Sequence, residues 1–297
     1  MKYFIIIFSL LFAVALICLV IAIAGARSFH LSLARLTRSK TSKDDTDDIR
    51  KLKTFYTRDI ALSALKRDGK KRFIFFSDLH AEYCFMQKER FCDLIGEIAS
   101  RTDIDAVVFG GDICNKPQDA KTGIEYMKAI AAKCKESDIP FLGVTGNHDV
   151  GLTDEQISSC GFTDLRGTFC DMGDYIISGI NDSGRDDRVW YPNPVKEPNK
   201  RHILVSHNPD WLLEAAKTGD LNGIDHMLSG HIHGGQIRLP FNIENLAIRK
   251  DLLPKRKIID GVFDGAGMTF FISRGLGCVL LPLRFFADPE ISIIELD

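Results

Sequence analysis

Five short apolar runs in this chain each stop at a side chain able to ligate a metal or carry a proton, and that repetition constrains the fold more than any other feature. Phe73–Phe76 leads to Ser77-Asp78-Leu79-His80, and Ala106–Phe109 leads to Gly110-Gly111-Asp112. Phe141–Val144 leads to Gly146-Asn147-His148-Asp149, His202–Val205 leads to Ser206-His207, and Met227-Leu228 leads to Gly230-His231-Ile232-His233. Short apolar runs bounded by Gly, Ser and Asp read as buried strands. An amphipathic stretch, Lys88–Ser100, and a helical one, Ala120–Lys135, alternate with the first three runs. This rhythm predicts an α/β domain with parallel strands. Ligands of such sheets bind beyond the carboxyl ends of the strands, so these endings are expected to meet in one crevice. A single Asp or Asn after a strand is ordinarily a turn or capping residue; five endings of this type form a constellation.

Asp78, His80, Asp112, Asn147, His207, His231 and His233 offer oxygen and nitrogen donors and no thiolate. Seven donors exceed one tetrahedral zinc and suit two divalent ions sharing a carboxylate. Metal pairs about 3.5–4 Å apart serve phosphate-ester displacement, because they clamp the attacking and leaving oxygens. His30, His202 and His226 begin or interrupt apolar runs, or follow the apolar N-terminus, and read as structural.

The blocks Asp78-x-His80, Gly110-Gly111-Asp112, Gly146-Asn147-His148-Asp149, His207 and Gly230-His231-x-His233 resemble, in order, the five signature blocks of the calcineurin-like metallophosphoesterases. Ser229–Pro240, with Ser273–Gly277 and Pro289-Glu290, is similar to a bacterial membrane-associated branch that includes UDP-2,3-diacylglucosamine pyrophosphatase-like phosphoesterases. The resemblance implies a four-layer α/β/β/α sandwich of two mixed sheets. It implies one ion held by Asp78, His80, Asp112 and His233, and another by Asp112, Asn147, His207 and His231, with Asp112 bridging. A metal-bridging hydroxide would then attack a phosphodiester, pyrophosphate or phosphomonoester. His148 would protonate the leaving group and Asp149 would orient His148 by a hydrogen bond. Mn²⁺ is the first expectation, with Fe or Zn²⁺ as alternatives, since a nitrogen and oxygen set selects weakly. The substrate is a phosphorylated small molecule or lipid precursor; soluble nucleotides, phosphoproteins or an inactive membrane scaffold are the competing readings. Gly230, Gly234 and Gly235 read as clearance around the ions, and Glu82 as negative charge at the mouth. Arg274 and Arg284 read either as a phosphate clamp or as structural arginines.

Phe4–Ala24 contains one polar residue, Ser9. As a helix it spans about 30 Å, the hydrocarbon thickness of a bilayer. It reads as a transmembrane anchor over residues 1–26, with a cleavable signal at Ala22-Ile23-Ala24 or Ala24-Gly25-Ala26 as the alternative. The expected location is the cell membrane, through this single N-terminal pass. Residues 1–43 carry a charge of +6, leaving −8 for the remainder of a chain with net −2. The cations after the apolar run favour a cytoplasmic domain by the positive-inside tendency. The acidic remainder argues against a nucleic-acid surface. Residues 27–71 read as a basic juxtamembrane segment and linker, residues 72–297 as the phosphoesterase domain, and 241–265 as a surface insertion. Eight cysteines without a C-x-x-C pair read as free thiols. The apolar stretch Leu276–Phe286 reads either as core or as a segment that dips into a bilayer. Oligomeric state has no signature in the sequence.

Overall fold

The computed structural model describes all residues except 1, 44, 53–56, 181–198, 220, 222 and 248. Two seven-stranded sheets organise the chain. From edge to edge the first runs Thr57–Asp59, His30–Leu36, Glu290–Leu296, Lys71–Phe76, Ala106–Phe109, Phe141–Gly143 and Thr163–Asp164. The second runs Arg50–Lys51, Gly261–Gly265, Met268–Ile272, His226–Ser229, Arg201–Ser206, Tyr175–Ile180 and Phe169–Asp171. Successive strand residues point to opposite faces, and Lys71–Phe76 shows the consequence. Phe73 and Phe75 enter the core between the sheets, where they meet Tyr175 and Phe271 edge-on at 5.1 and 6.0 Å. Ile74 and Phe76 face the other way, into a core shared with the helices Lys88–Arg101 and Ala120–Glu136. The outer face of the second sheet packs on Trp211–Thr218 and Leu252–Lys255. The layers are therefore α/β/β/α, with both sheets mixed in strand direction.

The structure corrects two expectations about segments. Residues 27–71 are not simply a linker: His30–Leu36 pairs in parallel with Glu290–Leu296 along its whole length, well inside the first sheet. Its charge concealed this, because Arg35 is neutralised by Glu295 at 2.7 Å while Leu33 and Ala34 enter opposite cores. Residues 241–265 are not merely a surface insertion either, since Gly261–Gly265 is a buried strand of the second sheet. The helix Lys2–Arg27 presents apolar side chains outward from Ile7 to Ile21, and among its described side chains only those of the last turns pack on the domain. All eight cysteines are free.

Candidate metal centre

Lys71–Phe76, Ala106–Phe109 and Phe141–Gly143 are mutually parallel, as are Arg201–Ser206 and His226–Ser229. Their carboxyl ends therefore open on one rim, and all seven expected donors meet there. Asp78, His80, Asp112, His207 and His233 are each at most 2% exposed. Asp78 Oδ1 lies 3.3 Å from His233 Nε2 and 4.0 Å from His207 Nε2, while Asp112 Oδ2 lies 3.1 Å from His207 Nε2 and 3.5 Å from His80 Nε2. Both carboxylates thus face both halves of the cluster. His80 Nε2 and His233 Nε2 stand 3.2 Å apart in one half. Asn147 Oδ1 joins His207 Nε2 at 3.2 Å and His231 Nδ1 at 2.8 Å in the other. Two groups within it, Asp78 with His80 and His233, and Asp78 with Asp112 and His207, have donor atoms close enough to hold an ion.

The hydrogen bonds behind the rings identify what the cluster accepts. His207 Nδ1 contacts the Gly110 carbonyl at 2.7 Å, which leaves Nε2 facing Asp112 and Asn147, both oxygen acceptors. His231 Nε2 contacts Asp251 Oδ1 at 3.3 Å, and its Nδ1 faces Asn147 Oδ1 at 2.8 Å. A ring nitrogen facing such oxygens carries either a proton or a metal ion, and an imidazole backed by a carbonyl or carboxylate is the usual form of a metal-ligating histidine. Burial pushes His80 down to about 4 and His233 well below its ordinary value. Both rings are thus neutral donors. Burial raises the Asp112 carboxyl, but His207, 3.1 Å away, outweighs it and holds the group below the carboxylate range. The donor set therefore fits divalent metal.

Local backbone keeps the donors converging. Asp78, His80, Asp112, His231 and His233 all have left-handed φ, between 35° and 66°. Such conformations cost about 1–3 kcal/mol each for non-glycine residues and persist only where surroundings impose them. Glycines supply clearance at two points: a Cβ on Gly230 would strike the Asp78 carboxylate, and one on Gly146 that of Asp112. Gly234 and Gly235 instead border the Arg274 and Arg238 side chains.

His148 joins the cluster, its ring edge-to-face with His80 at 4.9 Å and its backbone N–H bonded to Asp112 Oδ1 at 2.9 Å. Asp149 does not orient it among the described hydrogen bonds. That carboxylate is occupied by the backbone N–H groups of Asp112, Ile113 and Gly146, at 2.8–2.9 Å, and so locks the loops that carry the donors. The Asn115 carbonyl takes the orienting position, accepting from His148 Nδ1 at 2.8 Å. Glu82 is not a free charge at the mouth: its carboxylate accepts from Asn115 N at 3.1 Å and anchors that same loop. Asn115 and Asp251 carry no motif, and Asp251 lies in the stretch read from sequence as an insertion; its single sequence signal is an acid beside Arg249. Arg284 donates to the carbonyls of Arg274, Ala287 and Gly277, and Arg274 pairs with Glu290 at 2.7 Å, so both arginines are committed internally. His30 bonds Asp59 and Asp288, His202 bonds Ser178, and His226 bonds Thr269, all outside the cluster.

Comparison with known proteins agrees with this geometry. A family model described as calcineurin-like phosphoesterase matches residues 71–235. The chain is 30% identical over 235 residues to the uncharacterized metallophosphoesterase YkuE of Bacillus subtilis (strain 168), covering 74% of this chain and 77% of that one. It is 26% identical over 241 residues to the phosphodiesterase YaeI of Escherichia coli (strain K12), covering 76% and 82%. More than half of the chain lies within the family match, and it therefore belongs to the calcineurin-like phosphoesterases, a family of phosphoric ester hydrolases.

Proposed function

We propose that this chain is a membrane-anchored dinuclear-metal phosphoesterase whose substrate is a phosphodiester, with pyrophosphates and phosphomonoesters as the neighbouring alternatives. The observation that carries the metal assignment is the convergence of His207 and His231 ring nitrogens on the oxygens of Asn147 and Asp112, beside the buried Asp78, His80 and His233 group. One ion takes Asp78, His80, Asp112 and His233; the other takes Asp112, Asn147, His207 and His231. Mn²⁺ is the first choice for both, with Fe or Zn²⁺ as alternatives. The name of the E. coli relative favours the diester. A lipid-linked or nucleotide-sugar ester fits an enzyme held at a membrane, and soluble nucleotides or phosphoproteins are the alternative substrates. The anchor reading is supported by the packing of the helix on the domain: Ala22 and Ala26 are buried, and Arg284 N donates to the Ala22 carbonyl at 2.9 Å. Cleavage of a signal would strip that contact away.

Divalent ions in this cluster supply Lewis-acid charge for the phosphoryl oxygens and acidify water. The chain's own residues handle the leaving group. With Nδ1–H committed to Asn115, a second proton on His148 resides on Nε2. Water adds to phosphorus as the bond to the leaving oxygen breaks, and His148 passes the Nε2 proton to that oxygen. The Asn115 carbonyl holds the ring for this transfer, Asp112 Oδ1 holds the His148 backbone N–H, and Glu82 and Asp149 hold their loops. The test is metal content and hydrolysis of bis(4-nitrophenyl) phosphate by the full chain in detergent. Chelation should abolish turnover and Mn²⁺ should restore it; turnover that survives complete removal of metal would refute the proposal.

A further inference from the structure

We propose that the domain face around the exit of the N-terminal helix is itself a membrane-binding surface, seated in the interfacial layer of the bilayer that the helix enters. The proposal rests on reading that helix as an anchor. Chain connectivity sets the depth. The apolar run ends at Ala24, yet the domain already touches the helix at Ala22 through Arg284 N, and Gly25 lies so close to the Arg284 carbonyl that a Cβ would collide with it. At about 1.5 Å per residue, and with about 20 residues crossing the hydrocarbon, Ala22 lies within one turn of its boundary. The Arg284 loop is consequently held at headgroup depth.

The side chains presented there are apolar. Leu280 is 80% exposed and Phe286 66%, with Leu281 between them also exposed. A second loop is stitched to this one: Phe285 N bonds the Gln236 carbonyl at 2.9 Å, Arg238 N bonds the Phe285 carbonyl at 3.0 Å, and the Gln236 amide donates to Val279 O and Leu281 O. It carries Leu239 and Phe241, the latter 85% exposed. Phe241, Leu280 and Phe286 all have left-handed φ, where a surface loop would favour Gly or Asn. Beside the helix exit, Arg27 lies 5.5 Å over the Phe85 ring, at a crevice of about 220 Å³ that Arg90 also lines. Exposed apolar groups of this size mark interaction surfaces, and apolar side chains flanked by arginines match the chemistry of an anionic bilayer interface.

Tryptophan probes in the full chain test this in vesicles of phosphatidylcholine and phosphatidylglycerol with brominated acyl chains. Phe12→Trp reports the anchor, Leu280→Trp and Phe286→Trp report the surface, and Phe169→Trp, on the outermost strand of the second sheet, serves as the solvent control. Each spectrum is read as the difference from the parent chain. Emission added at positions 12, 280 and 286 should shift to the blue and be largely quenched, while that at 169 should not. Quenching at 12 with 280 and 286 behaving like 169 would overturn the surface and leave the anchor standing. No quenching at 12 would overturn the anchor reading and this proposal with it.

Discussion

The strand Lys71–Phe76 has a buried charge cluster at each end, and the two are neutralised in opposite ways. At its start, Arg72 donates to Glu295 at 2.6 Å and to Asp68 at 2.7 Å, and Glu295 also receives Arg35 and Lys70, each at 2.7 Å. Every charge there meets a counter-charge from the chain. Beyond the other end lie Asp78 and Asp112, and among the described residues no lysine or arginine pairs with either. An unpaired buried charge costs several kcal/mol, so this end is complete only with a cation from outside. One cluster holds the fold together, whereas the other is built to be finished by a ligand.

Substitutions can break or sharpen this contrast. Asp112→Ala removes one of the two carboxylates that face both halves, so bound metal should disappear and turnover should fall by more than the ~10²-fold typical of losing a hydrogen-bond partner behind a ligand. Elemental analysis and a phosphodiester assay read the result; full metal occupancy would show that Asp112 is not shared. Next, His148→Ala should lower kcat by ~10²–10⁴ while leaving metal content intact, separating proton transfer from ion binding. Loss of metal in this variant would assign His148 to the ligands instead.

At the other end, Glu295→Ala leaves Arg72 under-compensated in a buried position and should cost about 3–5 kcal/mol in thermal or denaturant unfolding. The kcat of the molecules that remain folded should be unchanged. The same cluster predicts an acid dependence. The hydrogen bond from Arg72 holds Asp68 down to about 2, and Glu295 is lowered as well, because Lys70, Arg72 and Arg35 outweigh its burial. Folded-state values below the unfolded ones stabilise the protein above the ordinary carboxylate range, about 4. That stability is lost as pH falls towards 2. Unfolding midpoints followed downward from pH 5 should show the decline, and Glu295→Ala should flatten it. The smallest effect is the most selective: Asp251→Asn weakens the carboxylate behind His231 and should reduce affinity for one of the two proposed ions by ~10–100-fold. Metal titration should resolve one weakened and one intact site; equal weakening of both would end the distinction between the halves.

The donors were legible because metal chemistry restricts residue type, and because parallel strands deliver their carboxyl ends to one rim. Asp78, His80, Asp112, Asn147, His207, His231 and His233 could therefore be gathered from sequence separations of up to 155 residues. The supporting groups were not legible. Asn115 acts through its backbone carbonyl, which every residue possesses, and Asp251 reaches His231 from a segment with no pattern of its own. Asp149 has the residue type expected of a histidine partner, yet folding brings three backbone N–H groups to its carboxylate instead.

The same division holds for the whole molecule. Residue types and their alternation determined the α/β class, the candidate donor set and the apolar N-terminal helix, because periodicity and ligand chemistry are local properties; the two-sheet arrangement was implied by the resemblance of the five blocks. Tertiary structure alone decided that His30–Leu36 enters the first sheet beside the chain's last strand, that five donors adopt left-handed backbone, and that the loops around Phe241 and Phe286 gather near the helix exit. Each of these depends on groups distant in sequence meeting in space: Arg35 is tolerated inside a sheet because Glu295 is opposite, and a strained φ persists because packed neighbours hold it. Neither partner carries a signal of the other until the chain has folded.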